Sequence, residues 1–170
     1  QRPDAFNATL EVCDEDNDGT GTFNLNDANN DITGGSPGTT VTYYQNSGLT
    51  MLIANPTAFN ATNGTVVYAL VEDGSGCLND SELTLLLEMP EEPNLPTFTV
   101  CITNPPLNLP VIINGVTGNW SDAGGHVSGN QFDPAGTMEG NYTITFTPDP
   151  GQCFTPANTI VNVTSGGPVP

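Results

Sequence analysis

Gly64-Thr65-Val66-Val67-Tyr68-Ala69-Leu70-Val71-Glu72-Asp73-Gly74-Ser75-Gly76-Cys77 opens with β-branched and aromatic residues and closes in a turn of acids and glycines. Beyond Cys77 it leads into the alternating run Leu83-Thr84-Leu85-Leu86-Leu87. A half-buried strand shows one face to the core and one to water, so period-2 runs on either side of a glycine turn predict a β-hairpin. The pattern returns later in the chain: Gly64 to Glu88 falls on Gly140 to Thr164 at a constant offset of 76, and Cys77 meets Cys153. In the second copy the strand is Tyr142-Thr143-Ile144-Thr145-Phe146-Thr147, the turn Pro148-Asp149-Pro150-Gly151, and the run after the cysteine Thr159-Ile160-Val161-Asn162-Val163. Two divergent copies of one module explain this self-similarity.

The openings of the copies agree as well. Phe6 to Cys13 reads as a strand ending in Val12-Cys13, and Phe98-Thr99-Val100-Cys101 repeats it. Between the copies, Met89-Pro90-Glu91-Glu92-Pro93-Asn94-Leu95-Pro96 carries three prolines, which block ladder hydrogen bonds and favour an extended backbone. The expected division is a module over 1–89, a short stiff linker over 90–96 and a second module over 97–170. Further strands are expected at Thr40 to Gln45, Thr50 to Ala54 and Pro110 to Asn114, while no window of twelve or more residues shows a helical stripe. The fold class is therefore all-β, two tandem antiparallel Ig-like β-sandwich modules.

Charge excludes several functions. The 170 residues hold 19 acidic side chains against a single basic one, Arg2, giving a formal charge of −18. Nucleic acids and anionic membrane surfaces need a basic footprint, which one arginine does not supply. The longest apolar run, Leu85-Leu86-Leu87, is far short of the ~20 residues that span a bilayer, and no apolar signal segment follows Gln1. The expectation is a soluble, monomeric fragment or processed chain without membrane insertion.

Four cysteines, one histidine and no Cys-x-x-Cys pair argue for structural disulfides in an oxidising compartment rather than for zinc or a redox dithiol. With one pair per module, Cys13 is expected to bond Cys77 and Cys101 to bond Cys153, each closing a loop of about fifty to sixty residues worth about 4 kcal/mol. An immunoglobulin domain proper carries a tyrosine two residues before its second cysteine; here those positions hold Ser75 and Gly151.

The strongest chemical motif is Asp14-Glu15-Asp16-Asn17-Asp18-Gly19-Thr20. Alternate carboxylates, with a glycine to turn the backbone, gather hard oxygens as calcium loops do. Asp14, Asp16 and Asp18 by side chain, Thr20 by its carbonyl and Asp27 as closing ligand are the candidate metal set. The competing reading is a solvated acidic turn, and the second copy has Ile102-Thr103-Asn104-Pro105-Pro106 instead. Catalytic signals are thin: His126 lies in a loop without a nucleophile elbow, and no phosphate-cradling glycine loop precedes a helix. The chain is read as no enzyme. Of Tyr43-Tyr44 one ring is expected in the core and one outside, and Trp120 is expected in the core rather than as a sugar platform.

Val12-Cys13-Asp14-Glu15-Asp16, Val41-Thr42-Tyr43-Tyr44, Ile53-Ala54-Asn55-Pro56 and Gly76-Cys77 resemble the tandem repeats of giant surface adhesins of gliding Bacteroidota. Gly118-Asn119-Trp120-Ser121 and Phe132-Asp133-Pro134-Ala135-Gly136 resemble their companion repeats. This resemblance implies a cell-surface location, export by the type IX secretion system and a role in adhesion or gliding. The implied partners are neighbouring repeats of the same long chain and a surface polysaccharide. The alternative is a carbohydrate-binding accessory module of a secreted enzyme.

Overall fold

The computed structural model describes residues 2–166. The chain divides into two compact units, Gln1–Met89 and Pro90–Pro170.

In the first unit the hairpin strands are β5 (Thr65–Glu72) and β6 (Leu78–Glu88), following β1 (Ala8–Cys13), β2 (Thr20–Phe23), β3 (Thr40–Tyr44) and β4 (Phe59–Thr62). One sheet has the order β1-β6-β5-β3, and β2 pairs with β4 in a second. Alternation sets the inner face: Val67, Ala69 and Val71 of β5 and Leu83 and Leu85 of β6 are buried, in one cluster with Phe23 and with the partly buried Phe59 from the small sheet. Between β2 and β3 runs a 3-10 turn, Leu25–Ala28, continued by the helix α1 (Asn29–Thr33). Leu25, Ala28 and Ile32, spaced three and four apart, point one stripe into the same core. Gly34 ends the helix in the left-handed region, φ 59, which favours a residue without Cβ.

The second unit repeats the plan with β7 (Phe98–Cys101), β8 (Leu107–Asn108), β9 (Ile112–Ile113), β10 (Val116–Ser121), β11 (Val127–Ser128), β12 (Gln131–Phe132), β13 (Gly140–Pro148) and β14 (Ala157–Thr164). Its sheets have the orders β7-β14-β13-β10-β9 and β11-β12-β8. Trp120 is 5% exposed and donates its indole N–H to the Pro110 carbonyl at 2.7 Å. It packs edge-on against Phe98 and tilted against Phe146, as a core side chain.

Three expectations change. The sandwiches are not purely antiparallel, because the opening strand of each unit runs parallel to the last one, β1 beside β6 and β7 beside β14. A long chain path separates each pair, and parallel neighbours require such a crossover. The stretch 90–96 is no free linker but part of the second unit. Glu91 bridges Phe154, Pro93 is buried, and the Pro96 carbonyl accepts a hydrogen bond from Thr159 Oγ1 at 2.8 Å. Its proline-rich, extended backbone continues the parallel register of β7 beside β14. Thr50 to Ala54 forms only an isolated bridge, Leu52 with Tyr44, and of Pro110 to Asn114 only β9 is strand.

Candidate functional sites: the cysteine ends and the acidic loop

The parallel pairing decides where the cysteines lie. In the first unit Cys13 stands opposite Glu88, the last residue of β6, whereas Cys77 immediately precedes Leu78, its first. Along the register, Cys77 is level with Arg2, eleven residues before Cys13, so the two stand about 36 Å apart along the strand direction. In the second unit Cys101 stands opposite Thr164, and the bridge of Glu91 with Phe154 continues the same register, so Cys153 is level with Pro90. That separation is again about 36 Å. A disulfide needs Cα atoms within about 7 Å. The expected pairs Cys13 with Cys77 and Cys101 with Cys153 therefore do not form. Cys13 and Cys153 are disulfide-bonded, while Cys77 and Cys101 are free thiols, both partly exposed.

Each cysteine has a defined setting. Next to Cys13, Asp14 N–H donates to the Glu88 carbonyl at 2.9 Å. At Cys153, with φ 55, the carbonyl accepts from Glu91 N–H at 3.1 Å. Cys77 is held by Asp73, whose carboxylate accepts the N–H groups of Cys77 and Ser75 at 3.0 and 2.8 Å. Those two N–H groups, Cys77 first, hold the Asp73 carboxyl below its ordinary pKa. Arg2 Nε reaches the Leu78 carbonyl at 3.1 Å beside it. The Cys101 sulfur accepts from Thr164 Oγ1 at 3.6 Å.

In the acidic loop, carboxylate oxygens of Asp14, Asp16 and Asp18 lie within 4.8 Å of one another. Asp14 is 2% exposed, and its two oxygens accept the N–H groups of Asp18 at 3.1 Å and Gly19 at 2.9 Å. Left-handed backbone at Asn17 (φ 56) and Gly19 (φ 81) folds the loop back on itself. Asp18 accepts both the N–H and the hydroxyl of Thr20, at 2.7 and 2.8 Å. Asp27 does not join them, since β2 carries the chain away before the 3-10 turn. It accepts from Asn24 Nδ2 at 2.7 Å and lies near Tyr43, whose hydroxyl is 2.7 Å from the Leu25 carbonyl and 2.6 Å from Asn29 Oδ1. Burial pushes the Tyr43 phenol well above its ordinary pKa, and the Asp27 charge adds to this. Tyr44, the neighbouring ring, is only partly buried.

His126 closes a loop. The Asp122 carboxylate accepts the N–H groups of Gly124, His126 and Val127 and lies 2.9 Å from His126 Nδ1. The imidazole packs against Phe132 and Tyr142. No helix among the described residues is long and apolar enough to cross a membrane.

Residues 9–91, just under half of the chain, match the family model described as a Flavobacterium inter-domain disulphide bond domain. No curated protein matches the chain. Among solved structures, the insect immune protein hemolin is 14% identical over 92% of this chain and 44% of its own, with a TM-score of 0.29. Immunoglobulin domains 1–4 of Sidekick-1 are 14% identical over 93% of this chain and 49% of theirs, TM-score 0.27. A tri-modular endo-β-1,4-glucanase from Bacillus licheniformis is 11% identical over 92% of this chain and 37% of its own, TM-score 0.28. The chain thus spans less than half the length of each of these structures.

Proposed function

We propose that the chain is a pair of non-catalytic Ig-like modules from a bacterial cell-surface adhesion protein, bonded to each other through Cys13 and Cys153, and that their task is to hold spacing under load. The bonded cysteines carry this reading. Cys13 sits opposite Glu88 and Cys153 is hydrogen-bonded to Glu91, residues three positions apart in the chain. A bond between the two cysteines closes a long loop in the unfolded state. Surface display by type IX secretion and a part in gliding belong to the same proposal, supported by the resemblance of Val12 to Asp16 and Gly76-Cys77 to gliding-adhesin repeats and by the Flavobacterium family matched over residues 9–91.

The same proposal places one calcium ion at Asp14, Asp16 and Asp18. Oxygens within 4.8 Å of one another suit an ion that takes its ligands at 2.3–2.6 Å, and apart from Arg2 the sequence has no cationic side chain to neutralise them. Bound there, directly after Cys13, the ion would stiffen the loop. A sugar-binding role has less support: Phe6 is the one exposed aromatic ring among the described residues, and it lies against Gly34.

Single-molecule stretching tests the load-bearing role. In oxidised protein the force should pass from Cys13 to Cys153 and bypass the roughly 140 residues between them, and reducing agent should release about 460–500 Å of extra contour. Full-length extension of oxidised protein would sink the proposal.

A further inference from the structure

A strand at the edge of a sheet offers its free N–H and C=O groups to any strand that can lie beside it, and proteins commonly blunt such edges with charge. In the second unit β9 is the last strand of the five-stranded sheet, with β10 as its neighbour there. The Val111 carbonyl accepts from Gly118 N–H at 3.0 Å, and Ile113 stands opposite Val116. Thr117, opposite Ile112, turns its groups the other way: its N–H donates to Gln152 Oε1 at 2.8 Å and its carbonyl accepts from Asp149 N–H at 2.9 Å. Hydrogen-bonded and non-hydrogen-bonded pairs alternate in an antiparallel ladder, so Ile112 N–H and C=O point out of the sheet edge. No charge guards them. From Pro93 to Ser121 the sequence carries no charged residue, in a chain with 19 acids. Val111 and Ile112 are 46% and 59% exposed. Beside them lies a groove of about 420 Å³ lined by Asn94, Leu95, Pro96, Pro110, Ile112 and Asn114.

We propose that β9 is a self-association edge, at which two copies of this chain pair their β9 strands antiparallel about a two-fold axis at Ile112. The two Ile112 residues exchange N–H to C=O bonds and pack side by side on the outer face, and Val111 comes opposite the second copy's Ile113. The proposal sets aside the monomer expected from the sequence. Charge selects this occupant. A chain of formal charge −18 is repelled by its own copy wherever carboxylates face each other, and it meets that copy across an uncharged surface here. A basic partner finds no carboxylate among the groove residues, whereas β9 itself is an uncharged extended strand with the same open edge. Pro110 and the turn at Asn114 and Gly115, with φ 51 and 88, limit β9 to two residues, so the contact is small and the dimer weak. Between chains that carry many such modules, weak contacts of this kind reinforce one another.

Sedimentation velocity of the whole chain, with Cys77→Ser and Cys101→Ser to prevent covalent dimers, tests the edge. A monomer–dimer equilibrium should appear as concentration rises. It should shift toward dimer between about 0.01 M and about 1 M salt, because the screening length falls from about 30 Å to about 3 Å and the contact has no ion pair to lose. Ile112→Asp should abolish the dimer, since it sets two carboxylates opposite each other across the axis, and Ile112→Val should keep it. Met138→Ser, at a side chain 78% exposed in another segment, should leave the equilibrium unchanged. Hydrogen exchange at the Ile112 amide should slow as dimer accumulates. Equal melting temperatures of Ile112→Asp and the unaltered chain show that pairing is lost and not the fold. A chain that stays monomeric at every salt concentration overturns the proposal. So does a dimer that survives Ile112→Asp, that dissociates as salt rises, or that leaves the Ile112 amide exchanging at its monomer rate.

Discussion

Cys13 lies opposite Glu88 and not beside Cys77, because β1 runs parallel to β6. An antiparallel β1 would have brought Cys13 to the start of β6 and allowed a bond within the module. Parallel, it sends Cys13 to the far end, about 36 Å from Cys77. One choice of strand direction thus converts a staple within a module into a cysteine available to a neighbour.

The first prediction concerns that bond. Peptide mapping of the oxidised chain should recover Cys13 joined to Cys153, with Cys77 and Cys101 alkylated. Closing a loop of roughly 140 residues stabilises by up to about 5 kcal/mol in the chain-entropy model. Cys13→Ser together with Cys153→Ser should therefore lower the urea midpoint of the oxidised chain and abolish its response to reductant. A recovered Cys13–Cys77 peptide would show that β1 does not run parallel to β6.

Calcium should raise the melting temperature of the first unit and chelator should lower it. An ion that binds only the native state adds about 2.7 kcal/mol at a hundredfold excess over Kd. Asp16→Ala should remove the response, because Asp16 has no structural hydrogen bond among those that shape the loop. Asp27→Ala should leave it intact, since Asp27 is turned toward Asn24. An equal calcium response in Asp16→Ala and the unaltered chain would eliminate the site.

Acid stability of the second unit should depend on Asp122. Burial alone would raise its pKa, but the N–H groups of Val127 and His126 and the His126 ring outweigh it and hold the carboxyl below its ordinary value of 3.8. A depressed folded pKa contributes stability that is present above the unfolded value and is lost as pH falls through the folded one. The gap in melting temperature between the unaltered chain and Asp122→Asn should be present at about pH 5 and close below about pH 4. A gap independent of pH down to 2 would mean that the carboxylate charge is not what stabilises the loop.

Tyr43→Phe should destabilise the first unit by about 1–3 kcal/mol, because it leaves the Leu25 carbonyl and Asn29 Oδ1 without the hydroxyl they share. Tyr44→Phe, on the outer face, should change the urea midpoint by less than about 0.5 kcal/mol equivalent. Similar losses in both variants would contradict the inward and outward assignment of the two rings.

Period-2 alternation in Val66 to Val71, Leu83 to Leu87 and Tyr142 to Thr147 determined the hairpins and their inner faces, since side-chain alternation is a local property of a strand. The offset of 76 between the copies likewise placed Cys77 and Cys153 in equivalent positions. The short helical segment at Leu25, Ala28 and Ile32 left a trace of three- and four-residue spacing, but it is too brief to stand out from its surroundings. The acidic cluster was legible because Asp14, Asp16 and Asp18 are neighbours in the chain, whereas Asp27 was not, because its place depends on where β2 carries the backbone. Strand direction belonged to the tertiary structure alone. Nothing local to Ala8–Cys13 distinguishes a strand that lies parallel to β6 from one that lies antiparallel, for the alternation is the same in both. Long-range pairing across the sheet settles it, and that pairing decides which cysteines stand at which end of a module.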